Sequence, residues 1–453
     1  MIDNEPIDIY CPMRRYFEKL KSWKLLILML ILLWPSLASS QVTLTLKDAI
    51  DTTLKNNFDI LIAANNLEIN KINNTAGVAG GLPSITANAT DNQSVTNVLQ
   101  RLNTGAEIKR SGANGNALTS NLTAGILLFN GFRVIATRER LQLLQKQSEL
   151  ELNLQIQNSI ASVMTKYWDI VRQTNYLKII LASLEVSQKK LEIVNERKNV
   201  GMANDADYLQ AMIDVNSEKQ ILTTQQLVVQ QTKTELLQLM SIRHYHDFVV
   251  EDSIVVDKSL QLDAILEDLR RNPQYLASEQ QVKINEQVVK EVTALRYPSL
   301  RLNTGLNFNR NQSTAGLTLM NQNYGPYAGV TLQLPIYNGN VYRIQKETAV
   351  YDVANARLEQ SNLLNEMKAG AINTFESYRT TLQQLNFQEN SVELSGKLIN
   401  LVLQRFRVNQ ATILDVKAAQ ESYENTGYQL VNLKYAAKIA EIELKRLLYQ
   451  LSK

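Results

Sequence analysis

The sequence contains two copies of one unit, and this duplication constrains the fold more than any other feature. Residues 48–84 match residues 263–299 at one constant shift, and residues 130–240 match residues 338–448 at a second. Such a period is far longer than the roughly 20–50 residues of a solenoid repeat, so it indicates one duplicated domain. The matched positions include Asp48 and Asp263, Asn57 and Asn272, Leu61 and Leu276, Pro83 and Pro298, Gly131 and Gly339, Arg197 and Arg405, and Leu239 and Leu447.

The composition favours long helices. The chain of 453 residues has 17 glycines and 8 prolines, while 45% of its residues are hydrophobic. This balance is typical of helical proteins rather than of loop-rich α/β enzymes. The formal net charge of +3 gives no polyanion-binding character, so we expect no nucleic-acid partner.

Residues 1–40 have the pattern of a secretory signal peptide. Basic residues precede the apolar run 25–34, and a stretch of mostly small residues follows it. A membrane anchor is the alternative, but it would need about 20 apolar residues, and the run is half that length. We therefore expect cleavage near Ser40, with Met13 as an alternative start. Cleavage would remove Cys11, the single cysteine of the chain, and leave no thiol.

Each copy opens with a helical stretch, about 46–80 and about 261–296, that ends near a proline. After the proline the apolar period changes from helical to two, which predicts pairs of strands with one apolar and one polar face. A soluble half-buried sheet gives the same alternation. Strands of about ten residues at equivalent places behind a signal peptide favour a membrane barrel instead. The expected strands are about 84–97, 119–129, 299–310 and 326–337.

Long helical hairpins follow the strands, over 131–240 and 339–450. No proline interrupts 131–200 or 339–408, and one helix of this length would be on the order of 100 Å long. Apolar residues of the first long helix recur alternately every four and three positions, which indicates coiled-coil packing. The expected seam is Ile156, Ile160, Val163, Tyr167, Ile170, Thr174, Leu177, Leu181, Leu184, Gln188 and Leu191.

The turn of each hairpin has the sharpest local signal. Gly201 and its equivalent Asn409 are the residue types that most readily adopt the left-handed conformation that closes a helix. A capping residue and an aspartate at the third position after it follow in both copies, as in a capping box. These pairs are Asn204 with Asp207 and Thr412 with Asp415.

The chain therefore divides into a signal peptide (1–40), a first repeat (41–240), a linker (241–260) and a second repeat (261–453). The linker has two short apolar runs among charged residues, and we expect it to contribute a short strand.

Catalytic motifs are absent from the sequence. It has no glycine-rich phosphate loop, no Gly-x-Ser-x-Gly, no His-Glu-x-x-His and no cysteine pair. His244 and His246 could share a metal, but a bare His-x-His in a charged loop is more often solvated surface. We expect no enzymatic activity, no cofactor and no metal site.

The order of these features resembles the TolC-like outer-membrane efflux family, the outer membrane factors. The resemblance covers about residues 44–447, and its specificity lies in the duplicated order rather than in any single motif. Lys198 stands where the family has an aromatic residue, and Asn409 where it has a glycine. The motifs that carry the resemblance are 128–133 and 334–339 before the long helices and 197–201 and 405–409 at the turns.

This resemblance implies a mainly α-helical fold with a β-barrel part. Three identical protomers would each give four strands to a twelve-stranded barrel in outer-membrane lipid, and an α-helical barrel would continue through the periplasm. The implied function is the exit duct of a tripartite efflux or type I secretion system. The implied partners are a periplasmic adaptor (membrane fusion protein) and an inner-membrane efflux pump or ABC transporter. Because a two-stranded hairpin cannot close its own edges in lipid, a barrel also requires oligomerisation.

Three sets of residues are functional candidates under this resemblance. Asp205 and Asp207 could line a cation-sensitive pore constriction, although carboxylates at a helix start commonly only offset the helix dipole. Arg301, Asn303, Asn307 and Asn309 would face the barrel lumen, with a solvated sheet face as the alternative. The turns would dock the adaptor through Arg197, Val200, Gly201, Asn204, Asp207, Arg405, Val408, Asn409, Ala411, Thr412 and Asp415.

A secreted or periplasmic coiled-coil scaffold without a pore is the second hypothesis. It explains the heptads and the signal peptide equally well. However, it gives no reason for two amphipathic strand hairpins at equivalent places.

Overall fold

A computed structural model describes residues 42–243, 245, 247–251 and 253–451. The expected signal peptide (1–40) and the two histidines considered as metal ligands, His244 and His246, lie outside the described residues. The helices are α1 (Leu46–Asn56), α2 (Phe58–Asn73), α3 (Arg133–Asn199), α4 (Asp205–Leu239), α5 (Leu262–Asp268), α6 (Pro273–Ala294), α7 (Val341–Arg407) and α8 (Ile413–Leu447), with a short 3-10 helix at Leu269–Arg271. The strands are β1 (Val42–Thr43), β2 (Ser84–Arg101), β3 (Glu107–Phe129), β4 (Phe248–Val249), β5 (Ser299–Ser313) and β6 (Met320–Gln333).

The described residues form two compact units of very different size. The small unit contains β1 and β4, which pair in parallel, with Val42 opposite Phe248 and Thr43 opposite Val249. The short strand expected in the linker is therefore Phe248–Val249, and its partner is the segment before α1. The large unit contains the remaining helices and strands.

The element order of the large unit is duplicated. In both copies, short helices precede two long strands, a helix of 67 residues and a returning helix of 35 residues. At 1.5 Å per residue, each 67-residue helix is about 100 Å long. This arrangement confirms the mainly helical fold with a duplicated helix, strand-hairpin and long-helix unit.

The first helical stretch of each copy is not one helix, as the sequence had suggested, but is broken at an asparagine. Asn57 has extended backbone angles, and its side-chain oxygen accepts hydrogen bonds from the amides of Asp59 and Ile60, so it caps α2. Asn272 does the same for the Gln274 amide, next to Pro273 at the first position of α6. Asparagine competes with the helix for backbone hydrogen bonds, and periodicity alone does not report this.

Strand lengths also differ from expectation. β3 was expected to begin near residue 119, but it begins at Glu107, and β2 extends beyond residue 97 to Arg101. Backbone pairing continues through Arg101 opposite Glu107, with one irregularity between Thr96 and Val98. These outer parts lack regular apolar alternation, so the sequence pattern did not predict them. They pair nevertheless, because pairing of backbone amides needs no apolar face.

The last strand ends earlier than expected. β6 was expected to continue to residue 337, but it ends at Gln333. Pro335 lacks the amide that a ladder requires, so the alternation of Leu334 and Ile336 does not extend the strand.

The four long strands form one antiparallel sheet in the order β2-β3-β5-β6. The middle pair, β3 with β5, joins the two copies, with Leu122 opposite Leu306 and Gly115 opposite Ser313. β2 and β6 each pair with one strand, so the sheet has two unpaired edges among the described residues.

Helix packing follows the heptad seam only in part. Ile160, Val163, Tyr167 and Ile170 are buried, as expected, but Leu181 is 47% exposed. Towards the end of α3 the buried positions move to Ser183, Ser187 and Lys190, among others, because α3 there packs against both α4 and α8. None of the helices in the described part of the chain has a stretch apolar and long enough to span a membrane.

Candidate functional site

We call residues 197–208 and 405–416, the two hairpin turns, the tip. Gly201 has φ = 76° and Asn409 has φ = 63°, so both adopt the left-handed conformation. In the first turn the amide of Gly201 donates to the Lys198 carbonyl at 3.0 Å, and the next amide donates to the Arg197 carbonyl at 2.8 Å. The second turn repeats both bonds from Asn409 and its successor. Each long helix therefore ends in the same double-bonded motif.

The helices that leave the tip are capped differently in the two copies. The Thr412 hydroxyl accepts from the Asp415 amide at 3.1 Å, while the Asp415 carboxylate accepts from the Thr412 amide at 2.7 Å, which completes a capping box. The Asn204 side chain accepts from the Asp207 amide at 2.8 Å. The reciprocal bond that was expected in both copies is present only in the second, and in the first the helix start is capped by the bond to the Asn204 side chain alone.

Contacts between the two turns hold the tip together. The Arg197 guanidinium donates to the Phe406 carbonyl and lies over the Phe406 ring, with its central carbon 4.5 Å from the ring centroid. Arg405 instead donates to the Gln410 carbonyl of its own turn at 3.1 Å. Beneath these contacts is a core drawn from both copies, formed by Ile193, Val194, Ala211, Ile399, Phe406, Val416 and Ala419.

The outer surface of the tip is apolar. Val200, Met202, Val408 and Leu414 are each more than 60% exposed. Exposed apolar residues that are close together are typical of a surface that binds another protein. Sequence reasoning missed Met202 and Leu414, although apolar residues within or beside a tight turn were a usable signal.

The acidic residues of the tip have distinct surroundings. The Asp205 carboxylate is 80% exposed and accepts from Lys198 Nζ at 2.7 Å, and this bond lowers the pKa of Asp205. The same ammonium group lies 4.5 Å from the centroid of the Tyr208 ring. Hydrogen bonds from Thr412 lower the pKa of Asp415. Asp205 and Asp207 share the first turn of α4, where negative charge also offsets the helix dipole.

The four-stranded sheet has one apolar and one polar face. Because residues directly opposite in an antiparallel pair share a face, the register defines rows across the strands. Apolar rows include Ala87, Leu122 and Leu306 in one and Ile126, Leu302 and Val330 in another. Leu306 is 55% exposed and Val330 is 62% exposed, so this face is uncovered within the protomer.

Asparagine and threonine side chains bond to each other across the polar face. Arg301, Asn303, Asn307 and Asn309 alternate along β5 and lie together on this face. Asn303 Nδ2 donates to Thr331 Oγ1 at 3.2 Å, and Asn309 Nδ2 donates to Asn323 Oδ1 at 3.0 Å. The β2–β3 pair of the first copy has the same kind of contact, from Asn88 Nδ2 to Asn121 Oδ1 at 3.1 Å.

One glycine allows a bond across three strands. Thr123 Oγ1 and the Tyr327 hydroxyl lie 2.8 Å apart, and Gly305 lies between them on β5. A Cβ at Gly305 would lie 3.1 Å from Tyr327 Cε1 and would collide with the Leu122 carbonyl oxygen. The polar face is therefore closely packed at this point.

The described residues contain no group of three or more His, Cys, Asp or Glu side chains that could hold a metal ion.

A family model described as "Outer membrane efflux protein" matches residues 49–241 and 265–448. The chain is 20% identical over 376 residues to the outer membrane protein TolC of Escherichia coli strain K12, which covers 78% of this chain and 75% of that protein. A protein of the same name from Salmonella enteritidis is 19% identical over 370 residues, with the same coverage.

Solved structures share the fold. The outer membrane protein VceC from Vibrio cholerae superposes with a TM-score of 0.70 at 19% identity, over 89% of this chain and 95% of that chain. The outer membrane channel CmeC from Campylobacter jejuni gives a TM-score of 0.71 at 17% identity, over 89% of this chain and 85% of that chain. The segments matched by the family model coincide with the two copies and cover most of the sequence, so the chain belongs to the outer membrane efflux protein family.

Proposed function

We propose that this outer-membrane efflux protein is the exit duct of a tripartite efflux or type I secretion system. The observation that carries the proposal is the four-stranded sheet, which has one apolar face, one polar face and two unpaired edges. Unpaired edges are not tolerated in lipid, whereas a closed barrel of several such sheets has none. The protein supplies passage and performs no chemistry.

Three protomers would close a twelve-stranded barrel, with β2 of one protomer paired to β6 of the next. Apolar residues on α4 and α7 support this arrangement, because they are exposed in the protomer and lack a neighbour that covers them. A neighbouring protomer would bury them by packing its α7 against α4. The exposed residues are Leu209, Ile213 and Leu227 on α4 and Phe387, Leu394, Leu398 and Leu401 on α7.

The tip would dock a periplasmic adaptor, and an inner-membrane efflux pump or ABC transporter would supply the energy. The apolar surface at Val200 and Val408, together with the rigid double turns, supports this assignment. The proposed docking residues are Arg197, Val200, Gly201, Asn204, Asp207, Arg405, Val408, Asn409, Ala411, Thr412 and Asp415.

Paired bulky substitutions at the turns test this docking. Gly201→Trp with Ala411→Trp should abolish adaptor crosslinking and drug resistance while leaving protein levels unchanged. Gly370→Trp is the control, because Gly370 is an exposed position within α7 where a Cβ would meet no atom within 4 Å. Wild-type resistance and crosslinking in the paired variant would refute the docking assignment.

Asp205 and Asp207 are proposed to line a cation-sensitive constriction of the pore. Both lie in the first turn of α4, and the carboxylate of Asp205 is exposed. Replacing both by asparagine should weaken block of the channel by divalent cations in planar bilayers. Unchanged block would leave only the helix-dipole role.

The polar face of the sheet is proposed to line the lumen, through Arg301, Asn303, Asn307 and Asn309. Residues 1–40 are proposed to be a cleaved signal peptide, which N-terminal sequencing of the mature protein would test. The proposed repeats remain 41–240 and 261–453, joined by the linker 241–260.

The mass and shape of the membrane-extracted protein test the duct itself. Light scattering with negative-stain imaging should give an elongated trimer with detergent bound at one end, and the trimer should conduct ions in planar bilayers. A detergent-free monomer or dimer without conductance would instead favour the coiled-coil scaffold.

A further inference from the structure

Three helices meet at a buried polar groove on α3. Ser183 and Ser187 are both almost fully buried and one helical turn apart, and their short side chains leave a shallow groove on the α3 surface. We call these two residues the serine groove. Glu218 reaches it from α4, while Gln420 and Glu424 reach it from α8.

Gln420 is the centre of this contact. Its Nε2 atom lies 2.5 Å from Ser183 Oγ, 3.1 Å from Ser187 Oγ and 3.1 Å from Glu424 Oε1. The same atom lies 3.2 Å from Glu218 Oε1, and this is the bond that links α4 to α8. An amide nitrogen has two hydrogens, so it cannot donate to all four acceptors at once.

Hydrogen-bond donors are therefore scarce in the groove. The Ser183 hydroxyl donates to Glu424 Oε1, and the Ser187 hydroxyl donates to Gln420 Oε1 at 3.3 Å. No other described donor serves Glu218, while the oxygens of Glu218 and Glu424 compete for the amide of Gln420. One additional proton on a carboxyl group would add a donor to the groove and remove the repulsion between the two carboxylates.

Among the surrounding charges, Lys190 opposes the rise in the pKa of Glu218 and Asp214 adds to it. Lys190, on α3, is almost completely buried and forms an ion pair with Asp214 of α4 at 2.5 Å. Lys417, on α8, also acts on Asp214 and lowers its pKa. Tyr428, on α8, stays neutral, since burial raises its pKa to about 12, and its ring packs edge-on against Tyr176 of α3 at 5.0 Å between centroids.

We propose that Glu218 and Glu424 form a proton-dependent tie between α4 and α8 across the serine groove. The tie holds while Glu218 carries a proton, and it loosens when both carboxyl groups are ionised. Glu218 lies about 20 Å along α4 from the tip. Loosening the tie would therefore release the tip-side ends of α4 and α8 from each other.

The direction of the pH effect follows from the protonation of Glu218. Burial, and then the charge of Glu424, raise the pKa of Glu218 to about 7 from an ordinary value of 4.5. The folded protein thus binds more protons than the unfolded chain between these values, so its stability falls as pH rises from about 4.5 to about 7. The tie is complete at the acidic end of this window and lost above it.

Hydrogen–deuterium exchange of the membrane-extracted full-length protein tests the tie. Residues 210–222 and 416–428 should lose protection by roughly tenfold in wild type between about pH 6 and about pH 8, after correction for intrinsic exchange. Glu218→Gln keeps the shape and supplies a permanent donor, so it should retain protection at the higher pH. Glu421→Gln is the control, because Glu421 is an exposed carboxylate on α8, outside the groove.

Infrared titration gives a second readout that does not depend on helix opening. Wild type should show the carbonyl stretch of a protonated carboxyl group near pH 6, and this band should be absent from Glu218→Gln and present in Glu421→Gln. Glu424→Gln should lower the pH at which the band disappears, because it removes the neighbouring charge. Identical exchange profiles for wild type and Glu218→Gln, or a Glu218 that is already ionised near pH 6, would overturn the proposal.

Discussion

Asn57 and Asn272 each hold two helices with one side chain. The oxygen of Asn57 caps α2, while its Nδ2 donates to the carbonyl of Leu239 at the end of α4, at 2.9 Å. Asn272 caps α6 and donates to the carbonyl of Leu447 at the end of α8, also at 2.9 Å. Both asparagines are buried. A helix start is thereby fixed to the end of a returning helix in both copies, and the same pair of bonds is formed twice.

Asn57→Asp separates the two roles of this residue. Aspartate keeps the oxygen that caps α2, but it has no amide to donate to the Leu239 carbonyl. We expect a loss of stability of about 1–3 kcal/mol from the unpaired buried carbonyl, and a larger loss for Asn57→Ala, which also removes the cap. Thermal unfolding followed by circular dichroism measures both, with the exposed Asn56→Ala as control. If Asn57→Asp unfolds at the wild-type temperature, the bond to Leu239 contributes nothing.

At the scale of elements, the two turns of the tip use different residues for one conformation. A side chain at Gly201 would meet no atom within 4 Å, so only backbone strain opposes Gly201→Ala. Left-handed conformation costs a residue with a Cβ about 1–2 kcal/mol, whereas glycine adopts it freely. We therefore expect Gly201→Ala to destabilise the first hairpin by about this amount and Asn409→Gly to leave the second unchanged or slightly more stable. Hydrogen-exchange rates of the backbone amides in the two turns measure this difference in stability. Equal effects of the two substitutions would contradict the shared left-handed geometry.

Gly305 and Gly329 offer a matched pair within the sheet. Both lie on the polar face, but a Cβ at Gly305 would collide with the Leu122 carbonyl oxygen, whereas a Cβ at Gly329 would meet nothing within 4 Å. Gly305→Ala should therefore reduce the yield of assembled, membrane-inserted protein severalfold, and Gly329→Ala should not. Heat-stable oligomer on unboiled gels is the measurement. Equal yields of the two variants would show that the strands do not pack as closely as described.

The sequence was sufficient to predict those elements whose backbone conformation or periodicity requires particular residue types. Gly201 and Asn409 marked the turns because few residues tolerate positive φ, and alternation marked the inner parts of the strands. The outer part of β3, which begins at Glu107, has no such signature, because backbone pairing is indifferent to side chains there. The seam was mispredicted at Leu181, since periodicity in one helix does not state how many neighbours it has. The break at Asn57 required knowledge of its distant partner Leu239.

The candidate site was predictable to a similar extent. The turns and the alternating residues of β5 could be located from local pattern alone. The groove at Ser183 could not, because Glu218 is far in sequence from Gln420 and Glu424 and meets them only when the two hairpins pack together. Their residue types are unremarkable on solvated helices, so burial, which the sequence does not give, is what makes them informative.

At the scale of the whole molecule, the two faces of the sheet are stable in different environments, one apolar and one aqueous. The row of Ile126, Leu302 and Val330 exposes apolar area whose contact with water is unfavourable. The opposite face has hydrogen bonds between asparagines, such as Asn309 with Asn323. Lipid outside and water inside satisfy both faces together. A solvated sheet in a scaffold protein would leave the apolar face uncovered.

Adjacent residues of β5 can decide between these environments. Asn307 lies on the polar face and Leu306 on the apolar face, so single cysteines at the two positions sample opposite sides of one strand. In a Cys11→Ser background, which has no other cysteine, a membrane-impermeant maleimide should label Asn307→Cys in intact outer membranes and should leave Leu306→Cys unlabelled. Labelling of both after denaturation is the control for expression. Equal labelling in the membrane would mean that water reaches both faces, which a lipid-embedded barrel does not allow.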